Sequence, residues 1–259
     1  MRNLKRALSL ALAAIMLVGM MVVSASAASY NNLTDKDEIV NKDAVSMLVS
    51  LGIIEGKPDG SYGPTENVDR AQMAKMLSVI MNKGVDNSAL YQSVNSGLVD
   101  VNTNWAKGHI NYCYTTGIIA GRGNGKFDPS ATVTALEAAK MLLVAVGYDP
   151  AIEGFEGADW AINVSVRADE QGIFEGFTKD LSAPLNRDDA ALLIYNALDV
   201  EMIQSYTTNN YPIVYSDHRT ILSDKYGVIK VEGVVTANEW AILDDDTDTA
   251  LQEGKTRIY

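Results

Sequence analysis

Apolar residues recur at the spacing i, i+3, i+4, i+7 in three stretches of the sequence, which is typical of a helix that buries one face. Each stretch follows a residue whose side-chain oxygen can accept a hydrogen bond from a backbone N–H at a helix start. Three positions later stands a residue that can return this bond, as in a capping box. The pattern therefore predicts three amphipathic helices with defined starts. The pairs are Asp69 with Gln72, Thr134 with Glu137, and Asn186 with Asp189.

These helices belong to a unit that occurs three times. An apolar string bounded by glycines occupies residues 52–56, 117–121 and 172–176, at spacings of 65 and 55 residues. A proline follows eight positions after the second glycine, and the capped helix comes next. An earlier helix ends at the first glycine, which suits a left-handed C-cap. Each unit is thus predicted to be helix, turn and helix.

The helical spacing fades after Tyr206. Residues 211–215, 227–237 and 256–259 have the composition of strands and are separated by polar turns. The predicted fold is therefore mainly α, with a short β-rich segment at the C-terminal end. Because the sequence stops within the last strand-like string, we expect the chain to be the N-terminal part of something longer or a truncated gene product.

Residues 1–27 have the order of a secretory signal peptide. Three basic residues precede an apolar run over residues 7–23, and Ala-Ser-Ala at 25–27 offers the small residues that a signal peptidase reads. A membrane anchor is the alternative, since 17 residues is close to the lower limit of a spanning helix. The small residues and the absence of flanking charge favour cleavage, so we expect the chain to be secreted.

The exported chain is strongly acidic. Removal of residues 1–27 takes away three basic residues and no acidic ones, which leaves 18 basic against 33 acidic side chains, a formal charge of −15. Such a chain repels nucleic acid and anionic lipid unless it builds a local basic pocket. With one cysteine and two histidines, a Cys/His metal cluster or catalytic pair is not expected. We predict no catalytic residues, no metal, no cofactor, no nucleic-acid partner and, after cleavage, no membrane contact.

Five short strings carry a resemblance to a known family. They are residues 98–101 (LVDV), 105–106 (WA), 117–121 (GIIAG), 125–129 (GKFDP) and, in the first unit, 68–72 (VDRAQ), which is similar to a Thr-Arg-Ala-Glu signature. Three tandem units of this kind behind a signal peptide resemble S-layer homology (SLH) domains, which attach bacterial surface proteins to the cell wall. The resemblance covers about residues 30–203.

The resemblance implies a pseudo-threefold bundle in which each repeat gives one helix to a central three-helix core and another to the rim. It also implies non-covalent attachment to secondary cell-wall polysaccharide, an anionic polymer that often carries pyruvate ketals, through grooves between repeats, together with self-assembly into a surface layer. In the family, the signature arginine, a tryptophan and an opening aspartate line these grooves. At matching positions of this sequence, the implied glycan-binding residues are Arg70, Arg187, Trp105, Trp160, Asp35 and Asp100.

Some positions depart from the family pattern. Ala135 stands where the signature arginine belongs in the second repeat, and Val40 stands where the tryptophan belongs in the first. The third repeat is shorter before Arg187 and has no clear opening aspartate. We therefore expect one or two competent grooves rather than three.

The residue types suit an acidic sugar. Arg70 and Arg187 fall at the first position of a predicted helix, where free N–H groups and the helix dipole favour an anion and a guanidinium can bind a carboxylate with two hydrogen bonds. A tryptophan face can lie against a sugar ring. Structural alternatives stay open: the arginines can pair with acids, the tryptophans can pack in the core, and the two aspartates can cap the helices that follow them.

The predicted function is non-enzymatic anchoring of a secreted surface-layer protein to the cell wall. Two alternatives remain: the repeats tether an extracellular hydrolase whose catalytic domain lies beyond the chain, or they form a purely structural scaffold. The predicted division is a signal peptide (1–27), SLH repeats (30–84, 98–149 and 156–204), a linker (85–97) and a β-rich segment that begins a truncated domain (205–259).

Overall fold

A computed structural model of the chain describes residues 29–207, 213–230, 235–238, 251 and 256–258. Within these ranges, six helices of nine to twelve residues form three successive pairs. The helices are α1 (Lys42–Ser50), α2 (Arg70–Met81), α3 (Lys107–Thr115), α4 (Ala135–Val146), α5 (Trp160–Glu170) and α6 (Arg187–Leu198). The predicted mainly α fold is confirmed, while the signal peptide predicted for residues 1–27 lies outside the described residues.

The ends of these helices follow local rules. At α2 and α4 both hydrogen bonds of the predicted capping box form: the side chain of the cap residue accepts the backbone N–H three positions later, and the side chain at that position accepts the backbone N–H of the cap residue. At α6, Asn186 accepts the N–H of Asp189, but the shorter side chain of Asp189 pairs with Lys179 instead of returning the bond. The glycines that end the first helices lie in the left-handed region, with φ of 72° at Gly52 and 70° at Gly172, as this type of C-cap requires.

A closed ring of backbone hydrogen bonds lies at the starts of α2, α4 and α6. The N–H of Val68 donates to the carbonyl of Leu185 (2.9 Å), that of Leu185 donates to Val133 (2.8 Å), and that of Val133 donates back to Val68 (2.9 Å). All three side chains are buried. Because each residue comes from a different unit, the ring marks a pseudo-threefold axis through the bundle.

Each first helix packs on the second helix of the preceding unit: α3 on α2, α5 on α4, and α1 back on α6. The last of these contacts closes the chain on itself. Buried Asp188 in α6 accepts hydrogen bonds from the backbone N–H groups of Val40 and Asn41 and from the Asn41 side chain. These bonds fasten the first unit to the third.

The apolar faces of the helices share one continuous core. Cys113, which aligns with apolar positions of the other units, is fully buried, and its Sγ lies 3.4 Å from the carbonyl oxygen of Ala74. Burial raises the pKa of its thiol. Cys113 is therefore a small core residue in an unreactive state.

The helical unit continues beyond α6. Strand β1 (Glu201–Tyr206) pairs antiparallel with β2 (Ile213–Thr220), and helix α7 (Ile221–Tyr226) follows directly. Leu222 of α7 is buried, and the hydroxyl of Tyr226 donates to the carbonyl of Ile80 in α2 (3.3 Å). The compact unit thus runs through Tyr226, and the division predicted at residue 205 stays a prediction.

A second unit comprises residues 227–259. In it, β3 (Val235–Asn238) pairs antiparallel with β4 (Thr256–Ile258). Both strands overlap strings predicted to be strands, whereas β1 was not predicted. The parts of the predicted strands at residues 211–212, 231–234 and 259 lie outside the described residues.

Among the described residues, every helix is too short or too polar to cross a membrane.

The burial of α7 predicts that it stabilises the bundle. Leu222→Ala should lower the free energy of unfolding by about 2–4 kcal/mol, since it removes a side chain that is 1% exposed and leaves a cavity. The matched control is Leu90→Ala, at a side chain that is 72% exposed, which should change it by about 0.5 kcal/mol or less. Urea unfolding of the exported chain measures both; equal effects would show that α7 does not contribute to the bundle.

Candidate functional site

Two grooves between the units contain the predicted arginines and tryptophans. Groove 1 has a cavity volume of about 200 Å³ and groove 2 of about 570 Å³. Groove 1 is lined by residues 53–57 of the first unit, Gln72, Lys75 and Met76 of α2, Trp105 of the second unit and Arg187 of the third. Groove 2 is lined by Ile118, residues 120–122, Glu137, Lys140, Met141, residues 155–157, Trp160 and, from the first unit, Arg70.

Arg187 lies half-buried at the first position of α6, beside Tyr62. Its Nε donates to the carbonyl of Tyr62 (2.8 Å), its guanidinium lies 4.7 Å from the centre of the Tyr62 ring, and the Tyr62 hydroxyl donates to the Arg187 carbonyl (2.7 Å). Within the described part of the chain, its Nη groups have no hydrogen-bond partner. The guanidinium is thus fixed through its Nε, and its Nη groups can donate hydrogen bonds to a ligand.

Arg70, at the equivalent position of α2, is more constrained. Only 4% of it is exposed, its Nε donates to the carbonyl of Phe127 and its Nη2 to that of Ala120 (both 2.8 Å). The guanidinium lies 4.4 Å from the centre of the Phe127 ring. Burial, together with the nearby charge of Arg122, lowers the pKa of Arg70 to about 10. Arg70 therefore holds the wall of groove 2 in place, and fewer of its donors remain for a ligand.

The expectation that free N–H groups at these helix starts receive an anion is wrong. The N–H groups of Arg70 and Ala71 donate to carbonyls at residues 131 and 129 of the second unit. Those of Arg187 and Asp188 donate to carbonyls at residues 66 and 64 of the first. Because these groups join the units, the charge in the grooves comes from side chains.

The two tryptophans line different grooves. Trp105 is 58% exposed in groove 1. Trp160 is half-buried in groove 2, where the Nζ of Lys140 lies 5.7 Å from the centre of its ring. Trp105 therefore presents an exposed indole face in groove 1, whereas Trp160 also packs against the core.

Asp35 and Asp100 do not line either groove. Asp35 accepts the N–H groups of Tyr62 (2.7 Å) and Gly63 (2.8 Å), and Asp100 those of Phe127 (2.9 Å) and Asp128 (2.8 Å). Burial opposes the charged form, but these hydrogen bonds outweigh it and hold the pKa of both carboxyls below the usual range. The aspartates therefore fasten the turn that carries the ring beneath the arginine, and neither caps a following helix through its side chain.

Sequence reasoning missed four further cations. Lys57 and Lys75 line groove 1, and Arg122 and Lys140 line groove 2. Alignment of the repeats contains the signal: one cation directly follows the second glycine of the apolar string, and the other stands six positions after the helix cap. Each of these two grooves thus combines three cationic side chains with a tryptophan.

Three of these four cations form partly exposed ion pairs that contribute little stability. Lys75 pairs with Glu55 (3.1 Å) and Arg122 with Glu137 (2.8 Å), while Lys57 contacts Glu66. Such partly exposed pairs contribute about 0–1 kcal/mol each, so an anionic ligand can replace them at little cost.

Lys140 is held differently from the other cations. Its Nζ donates to a backbone carbonyl at residue 155 (2.6 Å), and burial lowers its pKa.

The third groove lacks this chemistry. The same cyclic order brings Val40 to the tryptophan position and Ala135 to the arginine position, so both departures fall in one groove. Phe177 and Leu192 stand at the aligned positions where the other two grooves have cations. The side chain of Leu192 lies next to Gly176. The two positions that carry the further cations of grooves 1 and 2 are therefore apolar in the third unit.

Comparison with known proteins agrees with this architecture. Residues 32–74 and 99–139 match the family model of the S-layer homology domain. Both matched segments contain a glycine-bounded string and the start of the capped helix that follows it. The third unit, outside these matches, has the same helix order in the structure.

Similar proteins are found at bacterial surfaces. A cell surface protein of Thermoanaerobacter kivui is 28% identical over all of this chain and 31% of its own length. An S-layer protein of Bacillus licheniformis is 33% identical over 44% of this chain and 12% of its own length. An amylopullulanase of Thermoanaerobacterium thermosulfurigenes is 31% identical over 61% of this chain and 9% of its own length. The chain spans less than a third of each of these relatives.

The family match and the surface-protein relatives together indicate a secreted protein associated with the cell wall.

The contacts of Asp100 predict that it stabilises the turn as a carboxylate. Asp100→Asn should lower the free energy of unfolding at pH 7 by about 1 kcal/mol, because the amide keeps only one acceptor oxygen, its NH₂ group cannot accept an N–H, and the site is partly exposed. Since folding lowers the pKa of Asp100, this contribution is complete above its unfolded value and is lost as the pH falls through the folded value. Unfolding measured from pH 7 downward should show the difference between the two chains shrink as the pH approaches the folded value, whereas exposed Asp37→Asn should change little at any pH. An unchanged Asp100→Asn chain at pH 7 would contradict the assignment.

Proposed function

We propose that the helical unit anchors a secreted surface-layer protein to the cell wall by binding an anionic, pyruvylated secondary polysaccharide in grooves 1 and 2. It acts as a tandem of three SLH repeats and has no catalytic role. The observation that carries this proposal is the pairing of three cations with a tryptophan in each of two grooves. In a chain with a formal net charge of −12, such clusters are not expected from composition alone.

The chemistry of the grooves suits carboxylated sugars. A guanidinium donates two parallel hydrogen bonds to a carboxylate, and the free Nη groups of Arg187 allow this in groove 1. In groove 2, Arg122 and Lys140 supply the accessible charge, while Arg70 supports the wall. Screening beyond about 8–10 Å at ordinary ionic strength limits repulsion by distant acids.

Two grooves on one chain give bivalent attachment to a polymer. Once one groove is occupied, the second binds a neighbouring sugar of the same chain at high effective concentration. Moderate affinity at each groove then suffices for stable and reversible anchoring. Self-assembly into a surface layer is part of this proposal.

The tether of a hydrolase remains the second candidate. The similarity to an amylopullulanase over 61% of this chain but only 9% of that protein fits an anchoring module attached to an enzyme. The sequence encoded downstream of Tyr259 distinguishes the two, since a catalytic domain there would make this unit the tether.

Removal of groove cations should weaken wall binding without unfolding the chain. We expect the four substitutions Lys75→Ala, Arg187→Ala, Arg122→Ala and Lys140→Ala, combined, to weaken co-sedimentation with polysaccharide-bearing sacculi by at least about tenfold, given the strength of hydrogen bonds to charged groups. Each groove's pair alone should have an intermediate effect. Arg70 is left intact because its loss would damage the fold.

The matched control replaces two cations outside the grooves, Lys36→Ala and Lys42→Ala, and should bind as the parent does. Sacculi stripped of the polysaccharide should bind neither chain. Equal binding by the fourfold variant and its parent would refute the site, and a folded parent that never binds would favour the scaffold alternative.

A further inference from the structure

His109 is a buried residue that contacts Trp105 of groove 1. It is the third residue of α3, its Nδ1 lies 2.6 Å from the Oγ of Ser78 in α2, and its Nε2 lies 3.7 Å from a carboxylate oxygen of Asp86 after α2. Only 4% of the residue is exposed. Ser78 is equally buried, whereas the side chain of Asp86 is 54% exposed. Because the serine hydroxyl and the imidazole are both covered, a substrate cannot reach them, and the three residues are not a catalytic triad.

The cluster touches groove 1 through Trp105. The Trp105 and His109 rings have centres 6.3 Å apart at an angle of 65°. Trp105 lies in the turn just before α3 and His109 in the first turn of that helix, and the tilt of helical side chains toward the N-terminus brings the imidazole to the indole. His109 therefore supports the inner edge of the aromatic face of groove 1.

Burial and two neighbouring charges determine the pKa of His109. Lys75 of α2 disfavours the charged imidazole, and Asp86, from the segment after α2, favours it. Burial is the largest effect and, with Lys75, lowers the pKa of His109 below its usual value of 6.5. The neutral imidazole is thus favoured at pH 7, and His109 gains a proton as the pH falls through this lowered pKa.

The other units lack this group. Four positions after Trp160 stands Val164, and the equivalent residue of the first unit is Ala44. Both are buried and apolar. Groove 2, which has similar cations and a tryptophan, is therefore a built-in control for the effect of His109 on groove 1.

We propose that His109 is a positioning residue that makes groove 1 pH-responsive: its protonation tightens the binding of an anionic ligand there, while groove 2 does not respond. The added positive charge lies next to Trp105 and near Lys75, both of which line groove 1. Protonated Nε2 forms an ion pair with Asp86 at 3.7 Å, which holds the imidazole in place. By linkage, a bound anion favours protonation of His109 to the same extent. This inference rests on the proposed function.

The test uses the exported chain and purified anionic wall polysaccharide between pH 5 and pH 7.5. Sugar carboxylates remain ionised across this range, so the ligand itself does not titrate. When groove 2 is disabled by Arg122→Ala and Lys140→Ala, the affinity for the polysaccharide should rise about two- to tenfold as the pH is lowered toward 5. This is the effect expected of one positive charge added near the ligand. The same chain with His109→Gln should show a flat profile.

The reciprocal chain, in which Arg187→Ala disables groove 1, should bind with little change over this pH range. NMR titration of His109 in the unsubstituted chain gives a second measurement, which does not depend on how the glutamine variant folds: its pKa should lie below 6.5 and rise when the polysaccharide is added. A pH profile that persists in His109→Gln, or a His109 pKa unmoved by bound polysaccharide, would overturn this inference alone. Absence of binding at every pH would overturn the proposed function as well.

Discussion

The ring of three backbone hydrogen bonds among Val68, Val133 and Leu185 is the constraint on which the bundle depends. Buried N–H and carbonyl groups must be paired, and leaving one unpaired costs about 1–3 kcal/mol. In this ring the N–H of each residue donates to a carbonyl of another unit. The starts of α2, α4 and α6 are therefore fixed relative to each other, and no unit has a complete set of partners alone.

This constraint also decides where the grooves lie. Each groove takes its apolar string from one unit, its tryptophan position from the next and its arginine position from the unit after that. Substitutions in different repeats consequently meet in space. Val40 and Ala135 are far apart in sequence, yet the cyclic order assigns both to the third groove and leaves grooves 1 and 2 intact.

Much of the fold could be predicted because its signals are local. The cap of α2 at Asp69 and the left-handed C-cap at Gly52 depend on residues within one turn of the helix, and periodicity defined the buried faces. Strand β1 was missed because it follows the last helix without a turn signal and is fixed by pairing with β2. The register of that pair depends on residues that no local pattern specifies.

The site was only partly predictable. Repeat alignment pointed to Arg187 and Trp105, but it could not distinguish the half-buried Arg187 from the buried Arg70. Both arginines occupy the first position of a capped helix. The difference in their contacts comes from another unit, where the carbonyl of Ala120 accepts a hydrogen bond from Arg70. It also could not tell that helix-start N–H groups were already used by a neighbouring unit. The cations Lys57 and Arg122 were present in the alignment, yet their meaning depended on knowing which face lines a groove.

The contact of α1 with α6, fastened by Asp188 and Asn41, limits the number of repeats. In a linear repeat array each unit contacts only its neighbours, and evolution can lengthen or shorten it one unit at a time. Here the first helix returns to the last, so a fourth unit inserted into the series would separate two surfaces that must meet. A protein that needs stronger attachment can acquire a whole additional bundle or improve its existing grooves, but it cannot extend this one.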